Sequence, residues 1–328
     1  MTPLAVCSLV LAVALPFILS PYHVILLSSA LVLAIACLGL NLLLGYTGLL
    51  SLGHAAFFGV GAYAGAFLFT FGDMMSLEGH LAAGVLAATA LAAVVGFLCV
   101  RSTRIYFTIL TLAFAQVVHS LFVGGMAFRP FGEYGKGFFL IGEGGLYIPR
   151  FTILGTDVVP EVFHTVFYYV ILTAFLVSVV SMWRLVHSPF GVALRAIRDN
   201  AERAEFVGIP VRRYRWGAFV LSAIFTGLAG GLAGQLDRQV TTQQLYWPFS
   251  AYLVVATVLG GKAHFWGPVV GAFTVVVLKE ISLRFTDYYS LLLGSMLIVV
   301  VLAAPDGLVG AGVSLASRVT GIARWMRR

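Results

Sequence analysis

Three groups of polar residues interrupt an otherwise apolar chain, and their types and spacing bound the chemistry open to it. The first runs from Asn41 to Gly65, NLLLGYTGLLSLGHAAFFGVGAYAG. Gly45, Gly48 and Gly53 break an apolar run together with Asn41, Tyr46, Thr47, Ser51 and His54. Clustered glycines release the backbone from strict helix geometry and let another chain approach closely. Irregular backbone at membrane depth survives only inside protein or beside water. The segment reads as a path-lining or re-entrant stretch, or as a turn between two helices with Gly61 and Gly65 as a GxxxG face. The second group is Thr108, Thr111, Gln116 and His119. On a helix these fall within ~140° of one another. A polar stripe on a spanning helix faces the protein interior. It lines a path, or it makes interhelical hydrogen bonds averaging ~0.6 kcal/mol each.

The third group is the loop from His187 to Trp216, with Arg195, Arg198, Arg203, Arg212, Arg213 and Arg215. Ser188-Pro189 predicts a helix start, serine as a cap and proline at the first helical position. The helix is expected to run through Arg195, Arg198, Asp199, Glu202, Arg203 and Glu205. Gly208 stops it and Pro210 prevents resumption. Ala196, Ala204 and Val207 give it a modest apolar side. It reads as a docking helix for a soluble partner, or as a helix lying on anionic headgroups. The interleaved acids favour docking, because lipid prefers uninterrupted positive charge.

Other chemistry is missing from the sequence. No GxxxxGK[ST] phosphate loop occurs, so ATP binding by that route is not expected. There is no HExxH, and Gly48–Gly53 misses the GxSxG elbow by one residue. Acidic residues are nearly absent from mid-span, where ion-coupled carriers place ionisable or unwound polar sites. Cys7, Cys37 and Cys99 sit in apolar runs without metal or redox spacing and read as small apolar helix residues. No metal site and no catalytic residue are expected.

The elements that must hold these groups follow from composition. The chain has 328 residues, 60% hydrophobic and 10% charged. Soluble domains carry about 25% charged residues. The long, non-alternating apolar runs predict spanning helices, not β-barrel strands. An all-α bundle of about ten spans is expected: Pro3–Leu19, His23–Leu44, Ala55–Phe71, Leu81–Val100, Ile105–Gly124, Val162–Val186, Trp216–Gln235, Phe249–Gly260, Trp266–Leu283 and Tyr288–Ala304. The first has no positive n-region and reads as a span, not a cleaved signal. Net charge is +7, which the positive-inside rule explains without any nucleic-acid partner. Arg101, Arg104, the loop arginines and the tail residues Arg318, Arg324, Arg327 and Arg328 fall on one side. That side is the cytoplasm, holding both termini. Residues 125–161 form the longest outside loop, and residues 1–328 one membrane domain. A short echo between Gly53–Leu68 and Trp266–Leu278 suggests an internal repeat.

Four segments resemble one family. Asn41–Ala66, NLLLGYTGLLSLGHAAFFGVGAYAGA, is similar to the signature of branched-chain amino acid ABC importer permeases. Gly191–Ala223 resembles the same family's cytoplasmic loop and following helix. Leu259–Ala272 (LGG…FWGPVVGA) and Ala304–Gly310 (APDGLVG) resemble its C-terminal part. The order of motifs and the longer loops resemble the LivM-type member more than its LivH-type partner. The resemblance implies a bacterial inner-membrane subunit forming half of a translocation path. It implies a homologous second permease, two cytoplasmic ABC ATPases that bind ATP and Mg, and a periplasmic binding protein. This chain itself would bind no cofactor. Arg195, Arg198, Asp199, Asn200, Glu202, Arg203, Glu205 and Gly208 would belong to the coupling loop, residues 188–215. The family also serves urea, short amides and aromatic acids, and a self-contained facilitator is the reading from another class. Between Phe122 and Pro149 the family's short TGG…GL stretch is lengthened and altered here.

Overall fold

A computed structural model describes residues 12–72, 76–102, 105–123, 145–148, 152, 162–285 and 306–320, with isolated positions between 288 and 302. Most of the expected first and last spans and most of the outside loop 125–161 lie outside the described residues. So do Asp73, Arg104 and the tail arginines Arg324, Arg327 and Arg328.

The eight intervening expected spans all have helical counterparts. They are α1 (Pro21–Asn41), α2 (His54–Gly72), α3 (Leu77–Cys99), α4 (Ile105–Val123), α5 (Phe163–His187), α8 (Val211–Asp237), α9 (Trp247–Gly260) and α10 (Gly267–Phe285). Between α5 and α8 lie two short helices, α6 (Pro189–Asp199) and α7 (Ala201–Phe206), and α11 (Gly307–Thr320) follows α10. Among the described residues, five helical stretches are long and apolar enough to cross a membrane, and His54–Phe69 and Trp247–Gly260 are shorter apolar helices. Pro21 and Pro189 stand at helix starts, where their missing N–H leaves no donor unsatisfied. α1 continues through a π-helical turn at Leu42–Thr47. The combined 27 residues reach ~40 Å at 1.5 Å per residue, longer than a ~30 Å hydrocarbon core.

α1 is the central helix, with every residue from Ala30 to Leu43 buried. α8 packs against α1, α2 and α3. Without water between them, helices associate through van der Waals contact, so small residues mark the crossings. A Cβ on Gly84 of α3 would stand 2.5 Å from the Gly61 carbonyl oxygen of α2, and one on Gly61 would stand 2.8 Å from Gly227 Cα of α8. On α1, a Cβ at Gly39 would stand 2.8 Å from the Ser222 carbonyl of α8.

The two ends of the bundle differ. At one end, the Trp216 indole N–H donates to the Ala93 carbonyl at 3.0 Å. This joins the start of α8 to the end of α3, beside Arg101. At the other end, β1 (Leu146–Tyr147) and β2 (Gln239–Val240) pair antiparallel, Leu146 opposite Val240 and Tyr147 opposite Gln239. An isolated bridge joins Ser76 and Thr152. The expected all-α class is qualified to this extent. Loop backbone outside a helix still needs hydrogen-bond partners, and short strand pairing supplies them.

Candidate functional site

The expected single helix after Ser188 is instead two. Asn200 adopts φ −159° and ψ 104°, which breaks the helix after Asp199. Its Oδ1 then accepts from the Arg203 N–H at 2.9 Å, capping α7. Ser188 does not cap α6; its hydroxyl turns back and donates to the Leu185 carbonyl at 2.6 Å. Gly208 does end α7, at φ +87°. The Ile209 N–H donates to Ala204 O and the Gly208 N–H to Glu205 O, a Schellman stop. The apolar face also differs from expectation. Ala193, Leu194, Ile197 and Ala204 are buried, while Ala196, Phe206 and Val207 are exposed. Around the outer surface Asp199, Asn200, Glu202, Arg203 and Glu205 are exposed and Arg195 half-buried.

α6 seats directly on the π-helical turn, so the polar-glycine segment and the basic loop meet. In an α-helix the Leu49 N–H would bond to Gly45 O. Here it reaches past, to Leu43 O at 3.0 Å, and the Thr47 hydroxyl donates to Leu42 O at 2.9 Å. A widened turn of this kind shifts the ladder and frees the Gly45 carbonyl. Arg198 Nη1 donates to that carbonyl at 2.7 Å. Its Nε and Nη2 pair with the Asp199 carboxylate at 3.2 Å. The two glycines are required by what approaches them. A Cβ on Gly45 would collide with the Lys262 carbonyl and stand 2.5 Å from Asn41 Oδ1; on Gly48, at φ +74°, it would stand 2.9 Å from Arg198 Cγ. Asn41 is 2% exposed and its Oδ1 is buried without a hydrogen-bond partner among the described residues. Tyr46 is half-buried beside it. A cavity of about 690 Å³ opens here, with Thr47 and Gly48 on one wall and Arg198, Asn200, Glu202 and Arg215 opposite.

Beyond Gly48 the backbone stays irregular up to His54, and side chains from two other helices satisfy it. Thr108 of α4 donates to Leu50 O at 2.8 Å, and Thr111 accepts from the Leu52 N–H at 3.2 Å. Ser250 of α9 accepts from the Ala55 N–H at 2.7 Å, closing the start of α2. His54 bridges Ser51 Oγ at 3.0 Å and Ser222 Oγ of α8 at 2.5 Å through its two ring nitrogens. Phe57 and Phe219 stand edge-on to that ring. Ser51, His54 and Thr111 are fully enclosed in this conformation.

The expected polar stripe on α4 divides in two. Thr108 and Thr111 serve the irregular segment, whereas Gln116 and His119 line a separate cavity of about 1040 Å³ at the opposite end, with Gln243, Gln244 and Tyr246. The His119 ring lies 4.8 Å from that of Tyr246. Ser222, Ser250 and Lys262 escaped sequence reading. Ser222 and Thr226 share a face four residues apart on α8, which was a signal. Lys262 contributes only a backbone carbonyl, which leaves no trace in side-chain type. The C-terminal motif also joins this end. Gly261 (φ +113°) and Gly307 (φ +75°) lie back to back, and a Cβ on Gly307 would strike the Gly261 backbone. Segments near 45, 198, 261 and 307 thus converge.

The chain is similar to known membrane permeases along most of its length. LivM of Escherichia coli (strain K12), a high-affinity branched-chain amino acid transport system permease protein, is 29% identical over 326 residues, covering 92% of this chain and 73% of that one. Its Salmonella typhimurium counterpart is 28% identical with the same coverage. A probable LivH permease protein of Methanocaldococcus jannaschii is 26% identical over 140 residues, 38% of this chain and 42% of that one. No solved structure matches significantly. A sequence model described as branched-chain amino acid transport system / permease component matches residues 22–301. The chain belongs to that permease family.

Proposed function

We propose that this chain is the LivM-type membrane subunit of an ATP-driven importer for branched-chain amino acids. Its partners would be a LivH-type permease, two cytoplasmic ABC ATPases that carry ATP and Mg, and a periplasmic binding protein. The chain would act as one domain of about ten spans in a bacterial inner membrane, with both termini cytoplasmic. The convergence of Arg101, the 195–215 arginines and Lys262 at one end supports that orientation. The observation that carries the reading is the 2.7 Å bond from Arg198 to the Gly45 carbonyl. It ties a helix outside the membrane to the one turn where α1 departs from regular hydrogen bonding.

The mechanism follows from that seat. Leu194 and Ile197 are spent on the protein itself, and the exposed apolar surface of α6 is reduced to Val192 and Ala196. Phe206 is 90% exposed and Val207 72%, on a charged loop that lies outside the span. That combination suits a groove on a soluble ATPase. Closure of the ATPases would move α6 and α7 together. Arg198 would transmit the displacement to Gly45, and the irregular stretch through Ser51 and His54 would shift against α4, α8 and α9.

The two arginines separate docking from transmission. Arg203→Glu, on the outward face, should release the ATPases during co-purification from detergent. Arg198→Ala should retain them yet uncouple ATP hydrolysis from uptake. A charge-reversed complex that stays intact with unchanged transport-coupled hydrolysis would show that the loop is not the docking element.

A further inference from the structure

The end of the bundle away from α6 holds a second chamber that the coupling site does not use. Five helices (α1, α2, α8, α9 and α10) line a half-open cleft of about 340 Å³, within the range of small-molecule sites. Its walls are apolar, with Leu33, Phe58, Phe249 and Val276 among them. Charge enters at one rim only, through Asp237, Lys279 and Glu280. Phe249, Tyr252 and Lys279 also line the 1040 Å³ cavity, so the two spaces share a wall. Gln244 lines the wider one, and its side-chain oxygen is buried without a hydrogen-bond partner among the described residues.

The three charged groups are not equivalent. Glu280 is engaged by Arg284, at 3.4 Å, and by the Tyr22 hydroxyl. Arg238, the residue after Asp237, turns away; its guanidinium bonds the Tyr147 hydroxyl and covers that ring at 5.1 Å. Asp237 and Lys279, on α8 and α10, are both exposed at the rim and carry opposite charges. Charged side chains at the edge of an apolar chamber inside a membrane bundle are costly, and mark sites for charged ligands or partners. A ligand matching the arrangement carries one positive and one negative group close together and a compact apolar tail.

We propose that this chamber is a transient subsite for a zwitterionic α-amino acid with an aliphatic side chain. Lys279 faces the carboxylate, Asp237 the ammonium, and the side chain enters between Phe58 and Val276. The inference rests on the importer reading above and deepens it, by naming residues on the path.

Occupancy can be read by cysteine protection in the assembled transporter, with Cys7, Cys37 and Cys99 replaced by alanine. Val276→Cys and, as a milder reporter on the same wall, Ser29→Cys are exposed to a small water-soluble thiol reagent. L-leucine at tens of millimolar should slow labelling at least threefold. Leucinamide, lacking the carboxylate, and 4-methylpentanoate, lacking the ammonium, should not. Lys279→Met should abolish the protection by leucine. Labelling that is absent, or that leucine leaves unchanged at both positions, overturns the subsite; so does protection that persists in Lys279→Met. Co-purification of the ATPases in the same samples reports separately on the importer reading. An assembled, leucine-transporting complex without protection refutes the chamber alone.

Discussion

His54 is where the site's chemistry is most exacting. A fully buried imidazole holds two serine hydroxyls from different segments, Ser51 and Ser222. Replacing it by alanine removes both bonds at once. Each buried polar group left unpaired costs ~1–3 kcal/mol. His54→Ala should therefore lower the thermal unfolding midpoint in detergent clearly, and Ser222→Ala by less, since only one partner is then lost. Equal midpoints for His54→Ala and the unmodified chain would mean that the hub is not held by these bonds. Arg198 differs in kind. Its guanidinium is partly solvated and paired with Asp199, so its loss should change transmission more than stability.

At the scale of elements, two glycines predict opposite outcomes. Gly61 sits where α2 meets α8 backbone to backbone. Alanine there forces α2 and α8 apart, and overpacking of this sort costs ~1–3 kcal/mol. A Cβ on Gly208 would meet nothing within 4 Å, so glycine is needed there only for φ +87°. Alanine at that position costs ~1–2 kcal/mol of local backbone strain, which frays α7 without touching the bundle. Gly61→Ala should reduce the yield of folded protein. Gly208→Ala should leave yield unchanged and speed tryptic cleavage at Arg212, Arg213 or Arg215. The same cleavage rate in Gly208→Ala as in the parent would refute the claim that the Schellman stop orders this loop.

For the whole molecule, the chain is enclosed around Ser51 and His54 but open at both ends. About 690 Å³ lies beside α6, and about 1040 Å³ lies at the far end. Alternating access requires the middle to change. Single cysteines at Ser51 and His54 should react slowly with a water-soluble thiol reagent at rest and faster in at least one nucleotide state of the assembled transporter. Protection in every state would assign these residues to packing alone.

Sequence alone determined the membrane class, most of the helices and the family, and it singled out the Asn41–Gly65 and His187–Trp216 segments. Long apolar runs leave no other solvent than lipid, and Gly208 and Pro189 punctuate the loop through their own backbone limits. The structure decided what those segments touch. Asn200 split one expected helix into two, because a side-chain cap at Arg203 competes with helix continuation. The Thr108–His119 stripe was legible as a stripe, but its division between two sites depends on which helices flank each end. The link from Arg198 to Gly45 joins residues 153 apart in sequence and runs to a backbone carbonyl. Periodicity reports which face of a helix is polar; only the folded chain shows which carbonyl a π-helical turn leaves free.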